Sequence, residues 1–538
     1  MSAPPPGPGA DHAGTGYDVV VIGGGVVGAA IARELAGHHL SVALVEARSD
    51  VGDGTSKANS AVLHTGFDAT PGTLEARLVA RGHELLSDYA RTTRIPVEFP
   101  GAVLVARTGE EHAALPALRE KAEANGRHDT RLVGPGEVYA ALPALAPGVR
   151  GGLVVPGEGI VCPWTTVLAL ATDALARGTA ILLERPVTAV TTDGGTTVLH
   201  TPAGPVRTRW TVNAAGLGAD RVDALFGHER FTVTPRRGEL LVLDKAARPL
   251  VNHIVLPVPT ALGKGVLLAP TVYGNVLLGP TAEDLDDRTA TGTTEDGLAF
   301  LRARGAALMP ATADEEITAA YAGLRAAVTG HPDYLIEADP DRRYVLVGGI
   351  RSTGLSAGMA IAEHVRDLLA AHGLAAAART ELPAPPVMPY LGETGVRPYQ
   401  DGDLIAADPA YGEIVCYCER VTAGEIRDAC HAPLPARTIG GLGRRTRALN
   451  GRCQGSSCGP AVRALFAGHT TGRGCTSGCA RALPGPAAAP GSPGPHASSA
   501  SPGSLGRTAP APEDPSAAPP GDAASGDGGS PTEVTIRP

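Results

Sequence analysis

The 538-residue sequence predicts an α/β protein with a nucleotide-binding domain, and three observations lead to this fold class. Apolar strand-like runs alternate with Ala-rich helical runs along residues 17–381, which is the pattern of a sheet covered by helices. The first pair, YDVVVIGGG and then VVGAAIARELAG, is joined by glycines. A Pro- and Gly-rich stretch at 382–411 precedes a small cysteine-bearing segment at 412–468. We therefore expect two folded parts joined by a linker.

Composition excludes several classes of protein. The formal charge of −9 and the pI of about 6.0 argue against a nucleic-acid-binding protein, which usually presents a basic face. No apolar run reaches the roughly 20 residues of a membrane helix, and the N-terminus does not resemble a secretory signal. The few, mostly clustered cysteines indicate a reducing compartment. We expect a cytoplasmic protein. Peripheral association with the inner face of the cell membrane, through a partner, stays open as an alternative.

The two ends of the chain are rich in Pro, Gly, Ala and Ser. Residues 1–16 and 469–538 contain few apolar anchors. Such segments cannot bury enough surface to offset the entropy of ordering them, so we expect both ends to be disordered.

The first strand and helix contain a dinucleotide-binding motif. Gly23, Gly25 and Gly28 form G-x-G-x-x-G directly after the strand. The first glycine permits the tight turn, the second lets backbone approach a pyrophosphate, and the third allows close helix–strand packing. The helix N-terminus then faces the phosphates. Glu46 ends the next strand, SVALVE, where a carboxylate can bind ribose hydroxyls. The motif alone does not separate NAD from FAD.

Two later segments favour FAD. WTVNAAGLGADRV (210–222) and RYVLVGGIRSTGLSAGMAIAEHVRDLL (343–369) each read as a strand that ends in small residues and leads into a helix. Both resemble segments that return to the nucleotide fold in flavoproteins of the D-amino-acid-oxidase/glycerol-3-phosphate-dehydrogenase superfamily. The resemblance implies that the last helix N-terminus lies at the flavin's pyrimidine edge, where it stabilises negative charge. The alternative is two ordinary strand–helix units. The implied cofactor contacts in these segments are Ala215, Gly216, Gly349, Gly354 and Leu355.

The stretch GDGTSKANSAVLHTGFDATPGTLEARLVARG (52–82) resembles the part of the same enzymes that runs along the flavin ring and the substrate. The resemblance implies cofactor contacts from Thr55, Ser56 and Asn59. His64 is the candidate base for a substrate hydroxyl, because imidazole titrates near the operating pH. Its alternative role is a hydrogen bond to backbone or flavin. Lys57 is a second polar candidate.

The runs PRRGELLVLDK, LPVPTALGKGVLLAPTVYGNVLLGPTAED and YAGLRA predict an antiparallel sheet over the flavin's working face. They resemble the substrate domain of FAD-dependent glycerol-3-phosphate dehydrogenases, particularly the large subunit of the anaerobic type. The resemblance implies that Arg325 and Arg351 bind the substrate's anionic group, which guanidinium groups can grip in bidentate fashion. The alternative is that either pairs with a carboxylate such as Glu337 or Glu363. The expected FAD-binding parts are about 17–95, 150–232 and 335–375, and the expected substrate-domain parts are about 96–149 and 233–334.

Four cysteines form two close pairs near the end of the folded region. Cys416 and Cys418 make C-x-C, and Cys453 and Cys458 make C-x4-C. Four thiolates can bind zinc or an iron–sulfur cluster, but zinc ribbons usually use C-x2-C on both sides. The segments CYCERVTAGEIRDA and RTRALNGRCQGSSCGP resemble the bacterioferritin-associated-ferredoxin-like (BFD-like) module, which binds [2Fe–2S] and also ends the anaerobic glycerol-3-phosphate dehydrogenase large subunit.

Other residues near the cysteines have open roles. Arg444, Arg445 and Arg447 either offset the cluster's negative charge or form a solvated basic face. Cys475 and Cys479, in GCTSGC, are interpreted as incidental.

The resemblance extends from Tyr17 to about Leu465 and implies an FAD-dependent dehydrogenase for a small anionic alcohol. Its first expected substrate is sn-glycerol 3-phosphate, giving dihydroxyacetone phosphate. Electrons are expected to pass through [2Fe–2S] to a redox partner subunit or a quinone-linked acceptor. A 2-hydroxy acid such as 2-hydroxyglutarate, or an amino acid or secondary amine, stays open as the substrate. A relay flavoprotein without a small substrate is the alternative class.

Overall fold

The structure, a computed structural model, describes residues 16–259 and 265–470. Cys475 and Cys479 therefore lie outside the described residues, as do nearly all of both ends that the sequence predicts to be disordered. The described strands are β1 (Tyr17–Ile22), β2 (Val42–Val45), β3 (Val62–Leu63), β4 (Val97–Glu98), β5 (Ala102–Ala106), β6 (Arg131–Val133), β7 (Gly151–Val155), β8 (Gly159–Val161), β9 (Ala180–Leu182), β10 (Ala189–Asp193), β11 (Thr196–His200), β12 (Val206–Asn213), β13 (Val233–Leu243), β14 (Ile254–Pro257), β15 (Leu267–Pro270), β16 (Val276–Gly279), β17 (Glu283–Asp284), β18 (Ile317–Val328), β19 (Leu335–Asp339), β20 (Tyr344–Gly348), β21 (Ile414–Cys416) and β22 (Val421–Thr422).

The α-helices follow from apolar faces and from capping residues. Thr73 caps one helix by accepting from Ala76 N, and Thr108 and Glu111 form a capping box at the next. None of the described helices is long and apolar enough to span a bilayer. The described helices are α1 (Val26–Leu35), α2 (Leu74–Thr93), α3 (Gly109–Ala124), α4 (Pro135–Ala141), α5 (Pro163–Ala176), α6 (Ala219–Leu225), α7 (Glu295–Leu308), α8 (Gly354–Ala371), α9 (Gly402–Ala407), α10 (Ala423–His431), α11 (Ile439–Thr446) and α12 (Gly459–Thr470).

The first sheet has the order β10-β11-β12-β1-β2-β9, and β20 and β19 extend it from β12. Strand β1 is parallel to β2 and β12, and Ile22 is in register with Val45 and Asn213. The carboxyl ends of three parallel strands therefore meet at one edge, where ligands bind in open α/β sheets. The sequence prediction of a Rossmann-like nucleotide fold is confirmed.

The second sheet has the order β17-β13-β16-β15-β14-β5-β7-β6, with β18 also paired to β13. It is antiparallel as expected, except that β14 runs parallel to β5. The sequence predicts that the chain returns from the substrate domain to the FAD-binding domain near residue 150. In the structure this return comes one strand later, because β7 still pairs with β5 in the second sheet. The long β13–β18 pair sets Arg236 opposite Arg325, so these two cations share one region of the sheet.

Helix α8 packs against both α1 and α2. Close approach is possible because position 82 is glycine: a Cβ at Gly82 would lie 2.2 Å from the Ser356 carbonyl oxygen. This contact holds the N-terminus of α8 against α2.

The segment at 382–411, predicted to be a linker, is anchored to the body rather than extended in solvent. Met388 and Leu391 are buried in the main core. Met388 N donates to Thr93 O at 2.9 Å, and Glu393 N donates to Val272 O at 3.0 Å. Its second half includes α9. Proline-rich composition masked these two apolar anchors.

The cysteine module consists of the β21–β22 hairpin and helices α10, α11 and α12. Its core includes Val421, Ile426, Leu442 and Val462. Cys430 lies in this core, and Cys162 lies in the core of the body, so both are buried as expected for small apolar residues. The module and the body belong to one compact unit.

Candidate active site and thiol cluster

The glycine motif sits at the carboxyl edge of the first sheet. Gly23 has φ of +109°, and a Cβ there would lie 2.4 Å from the Ala214 carbonyl oxygen. A Cβ at Gly28 would lie 1.9 Å from the Gly23 carbonyl oxygen. Gly25 directly precedes α1, whose first amide, Val26 N, donates to Ser56 Oγ at 3.0 Å. These glycines therefore create the tight turn and close packing that the motif requires.

Glu46 connects the glycine turn to the second strand. Its Oε2 accepts from Gly24 N at 2.6 Å, and its Oε1 accepts from Arg48 N at 2.8 Å. Burial raises the pKa of Glu46, although both amides oppose this shift. The carboxylate is thus oriented beside the motif, where it can accept from ribose hydroxyls.

The other residues predicted to contact the cofactor border the same region. Ala215 N donates to Asn213 Oδ1 at 3.2 Å. Gly216 and Gly349 have φ of +56° and +67°, a conformation that favours glycine. Gly354 is the first residue of α8, and Leu355 is buried behind it.

Residues 55–59, which we call the flavin-facing segment after the sequence prediction, are held in place partly by their own polar side chains. Thr55 Oγ1 donates to Leu324 O at 2.9 Å, which ties the segment to β18. Asn59 Nδ2 donates to Ser56 O at 2.9 Å, and Asn59 Oδ1 accepts from Ala61 N at 2.8 Å. The side chains of Thr55 and Asn59 therefore shape the loop, which leaves backbone to approach a cofactor. Together, the glycine turn, Glu46 and the α8 N-terminus fit a dinucleotide-type cofactor such as FAD.

His64 is held by a buried carboxylate. Its Nδ1 lies 3.1 Å from Glu158 Oε2, and its backbone N donates to Ser356 Oγ in the first turn of α8 at 2.8 Å. Glu158 is fully buried, and its Oε1 accepts from both Thr65 N and Thr65 Oγ1 at 2.7 Å. With Glu158 ionised, its carboxylate only accepts, so a neutral imidazole would carry its proton on Nδ1.

Arg325 is a half-buried cation in β18. Its Nη2 donates to Thr281 O at 2.7 Å, and a Cβ at Gly238 would lie 2.4 Å from that same nitrogen. Among the described residues, no carboxylate lies within ion-pair distance of Arg325. Burial lowers the pKa of Arg325, as does the charge of Arg236, while the charge of Asp284 acts in the opposite direction.

Two of the basic candidates have protein partners. Arg351 Nη2 donates to Glu75, so its carboxylate partner is neither Glu337 nor Glu363. Glu75 also accepts from Thr353 Oγ1 at 2.8 Å. Arg351 nevertheless pairs through its backbone with Ala326, the residue after Arg325. Lys57 Nζ donates to Asp53 Oδ1 at 3.0 Å, and this pair is partly exposed.

The four predicted cysteine ligands converge. The thiols of Cys418 and Cys453 are neighbours, and so are those of Cys416 and Cys458. Over residues 16–259 and 265–470, no three His, Cys, Asp or Glu side chains surround a single point that could hold one metal ion. Two pairs of thiols instead fit a two-iron cluster, in which each iron takes two protein ligands.

The thiols of Cys453 and Cys458 lie in different electrostatic environments. The backbone N–H of Ser457 is the largest influence that lowers the pKa of Cys453, to about 6. Burial raises the pKa of Cys458 to about 12. A Cβ at Gly451 would lie 2.3 Å from Cys418 Cβ, so glycine there lets the two cysteine loops meet. Free amides around sulfur are the groups that tune iron–sulfur clusters.

The arginines near the cysteines are ion-paired with specific carboxylates. Arg445 binds Asp50 with both terminal nitrogens, at 2.7 and 2.8 Å. Arg444 reaches Asp50 at 2.9 Å and Asp53 at 2.8 Å. Arg447 Nε donates to Glu419 Oε2 at 3.1 Å. A solvated basic face is therefore wrong for these residues, and two of them dock the module on the body.

Sequence reasoning missed four residues that shape these sites. Glu158 and Trp164 lie in PGEGIVCPW with no motif around them, and Asp50 lies in an ordinary turn. Arg397, from the predicted linker, is buried in the module, where Nη2 lies 3.4 Å from Glu419 O. For Glu158, Asp50 and Arg397 the sequence shows only a charged residue in a segment without a motif, and for Trp164 only a lone aromatic residue; neither signal identifies a partner.

Comparison with protein families gives two matches. Residues 18–368 match the family described as FAD dependent oxidoreductase. Residues 414–468 match the BFD-like [2Fe-2S] binding domain.

Individual relatives agree with these families. A glycerol 3-phosphate dehydrogenase of Caloramator mitchellensis is 36% identical over 456 residues, which is 84% of this chain and 94% of the relative. A glycerol 3-phosphate oxidase of Mycoplasma pneumoniae is 32% identical over 65% of this chain and 94% of its own. The structure of dithionite-reduced L-alpha-glycerophosphate oxidase from Mycoplasma pneumoniae with FAD bound has a TM-score of 0.65 and 30% identity, and covers 69% of this chain and 99% of that one.

Proposed function

The chain belongs to the FAD-dependent oxidoreductase family and carries a BFD-like [2Fe–2S] domain at residues 414–468, and on this premise we propose that it oxidises sn-glycerol 3-phosphate to dihydroxyacetone phosphate. The observation that carries the proposal is the Caloramator mitchellensis relative, named for glycerol 3-phosphate dehydrogenation. An alignment of 456 residues is longer than either part alone, so the likeness spans the body and the module together.

The proposed reaction removes a proton from the substrate's hydroxyl group and a hydride from its carbon. When bound, FAD supplies the hydride acceptor and the cluster supplies a one-electron carrier. His64 takes the hydroxyl proton at Nε2, because Glu158 holds the other ring nitrogen as an N–H donor. The buried Glu158 carboxylate then stabilises the imidazolium, as the acidic member does in a catalytic triad.

Arg325 binds the phosphate in this proposal. Its half-buried guanidinium donates to the Thr281 backbone oxygen and forms no ion pair with a carboxylate among the described residues. A planar guanidinium matches phosphate oxygens geometrically, and partial burial strengthens the attraction. Arg351 has a weaker claim, because Glu75 already neutralises its charge.

Two alternative substrates and one alternative class are separated by the same experiment. A 2-hydroxy acid is also anionic and would use Arg325 and His64 in similar roles. An amine would not require His64 as a base, because its neutral form already has a lone pair. A relay flavoprotein would require neither residue.

The test is anaerobic flavin bleaching by purified holoenzyme. We expect glycerol 3-phosphate to bleach the flavin absorption at least tenfold faster than 2-hydroxyglutarate or proline at equal concentration. Faster bleaching by either of those compounds would reassign the substrate. If none bleaches the flavin while a reduced partner protein does, the relay function replaces the proposal.

The acceptor that completes turnover lies outside this chain in our proposal. A redox partner subunit or a quinone-linked acceptor would take electrons from the module, and peripheral association at the inner face of the cell membrane would follow from that partner. The support is the cysteine module itself, whose one-electron chemistry suits transfer onward.

A further inference from the structure

Three side chains stack at the junction between the body and the cysteine module. The rings of Trp164 and Tyr273 lie with centroids 5.5 Å apart and planes inclined by 26°. The Arg447 guanidinium carbon lies 4.0 Å from the Tyr273 centroid and 5.7 Å from the Trp164 ring. Tyr273 and Arg447 are buried. We call Trp164, Tyr273 and Arg447 the junction stack.

One end of the junction stack touches the flavin-facing segment. Trp164 Nε1 donates to Lys57 O at 3.0 Å. Lys57 ends a short turn of 3-10 helix whose first residue, Thr55, is bonded to β18. On the other side of this segment, a Cβ at Gly323 would lie 2.1 Å from Ala58 O. The segment is therefore clamped between β18 and the indole.

The other end of the junction stack touches a cluster loop. Arg447 Nε donates to Glu419 Oε2 at 3.1 Å, and Glu419 directly follows Cys418. Glu419 is itself buried and also binds Lys245 at 3.3 Å. A continuous line of contacts thus joins the flavin-facing backbone to a cysteine ligand.

We propose that the junction stack is the medium through which electrons pass from the flavin site to the cluster, an inference that rests on the proposed redox function. Electron tunnelling falls off steeply with distance, and it falls off faster across gaps than through packed atoms. The two electrons of the reduced flavin leave singly, and its protons pass to solvent. Each electron reduces the cluster by one charge before an external one-electron acceptor removes it.

The docking of the module keeps this line intact. Arg445 and Asp50 form a buried bidentate pair, and Arg444 links Asp50 to Asp53. Asp53 in turn binds Lys57, the residue whose carbonyl accepts from the indole. The ion pairs and the junction stack therefore fix the same short segment, so transfer requires no swing of the module.

The competing role for these side chains is adhesion alone. Cation–π and stacked aromatic contacts stabilise interfaces whether or not electrons cross them. A rate measurement on the cluster separates the two roles, because adhesion predicts no specific change in the rate of cluster reduction once folding and potentials are unchanged.

The experiment uses holoenzyme and requires no substrate. A light pulse in the presence of a sacrificial amine donor reduces the flavin, and cluster reduction is then followed by freeze-quench EPR and by absorbance. In Trp164→Leu, we expect the rate of cluster reduction divided by the rate of flavin reduction to fall at least tenfold. Trp164→Phe, which keeps a ring on Tyr273, should recover most of this ratio. The EPR line shape and midpoint potential of the cluster should not change.

Tyr399→Leu is the matched control. Arg420 lies 5.3 Å from the Tyr399 centroid, a cation–π pair that the junction stack does not include. We expect this variant to keep the wild-type ratio. Should Trp164→Leu fail to fold, Arg447→Lys replaces it, because lysine keeps the charge and loses the planar group.

A wild-type ratio in Trp164→Leu or Arg447→Lys would overturn the proposal. A lowered ratio accompanied by a shifted cluster potential would also overturn it, since driving force would then explain the loss. Failure of the substrate assignment would appear only in bleaching by glycerol 3-phosphate, so the two results stay distinct.

Discussion

Arg445 and Asp50 form a bidentate ion pair between the cysteine module and the flavin-binding body, with Nη1–Oδ2 and Nη2–Oδ1 distances of 2.7 and 2.8 Å. Both side chains are almost fully buried. Asp50 lies in the turn just after Glu46, so the module is attached to the loop that also forms the predicted ribose site. Asp50 is therefore the most buried carboxylate of the body in this attachment, and Asp53 adds a second contact with Arg444.

Removing that carboxylate should destabilise the protein strongly. We expect Asp50→Asn to lower the free energy of unfolding by about 3 kcal/mol, because it leaves the buried Arg445 guanidinium without its anion, while Arg444 keeps Asp53. Urea unfolding would measure the change. Asp18→Asn is the control, since the Asp18–Arg209 pair is more exposed and should contribute less than about 1 kcal/mol. Equal effects in both variants would contradict a special role for Asp50.

The same pair predicts a loss of stability in acid. Burial raises the pKa of Asp50, but hydrogen bonds and charge from Arg445 and then Arg444 outweigh it and lower the pKa overall. A lowered folded-state pKa gives stability that is present above the unfolded value of about 3.9 and is lost as pH falls through the folded value. The difference in unfolding free energy between wild type and Asp50→Asn should therefore shrink below about pH 4. A difference that stays constant down to pH 3 would argue against this origin.

Glu158 should control the tautomer of His64. In Glu158→Gln, Thr65 retains the amide oxygen as an acceptor, which turns the amide NH2 toward Nδ1 and forces the proton onto Nε2. We expect kcat to fall by about 100-fold or more, since the base nitrogen is then protonated. Steady-state kinetics across pH should show the loss in kcat with KM nearly unchanged. His83→Gln, beside Gly157, is the control and should stay within about threefold. A small effect of Glu158→Gln would remove this orienting role.

Arg325 should govern affinity for an anionic substrate. We expect Arg325→Ala to raise KM by about 30-fold, equivalent to about 2 kcal/mol for loss of a charged hydrogen bond. Arg236→Ala is the matched control, because Arg236 lies opposite in the sheet but is exposed and bound to Asp284. Unchanged KM in the Arg325 variant would exclude it from the substrate site.

Cys453 should be required for the cluster. Purified Cys453→Ser should keep flavin absorption and lose both iron and the broad iron–sulfur shoulder, because a serine hydroxyl is a poor ligand for iron. Cys430→Ala should keep the cluster, since Cys430 lies in the module core outside the two thiol pairs. One zinc per chain with no iron in the wild type would contradict the cluster.

The sequence by itself determined the features that depend on a few neighbouring residues. The turn at Gly23 requires a positive φ, and the packing at Gly28 excludes a Cβ. Both requirements select glycine, so the nucleotide-binding motif can be identified from the sequence alone. The C-x-C and C-x4-C spacings similarly predict a module with four cysteine ligands. Family and cofactors therefore followed from local patterns, together with the alternation of strands and helices.

Only the tertiary structure decided which charged groups meet. His64 and Glu158 are 94 positions apart, and Asp50 and Arg445 are 395 apart. Arg351 forms an ion pair with Glu75, a partner that no sequence spacing indicates. Long-range ion pairs depend on how distant segments pack, because a carboxylate can pair with any guanidinium that the fold brings within reach. The sequence therefore carries the motifs of both redox sites, while the packing determines how their side chains are oriented and joined.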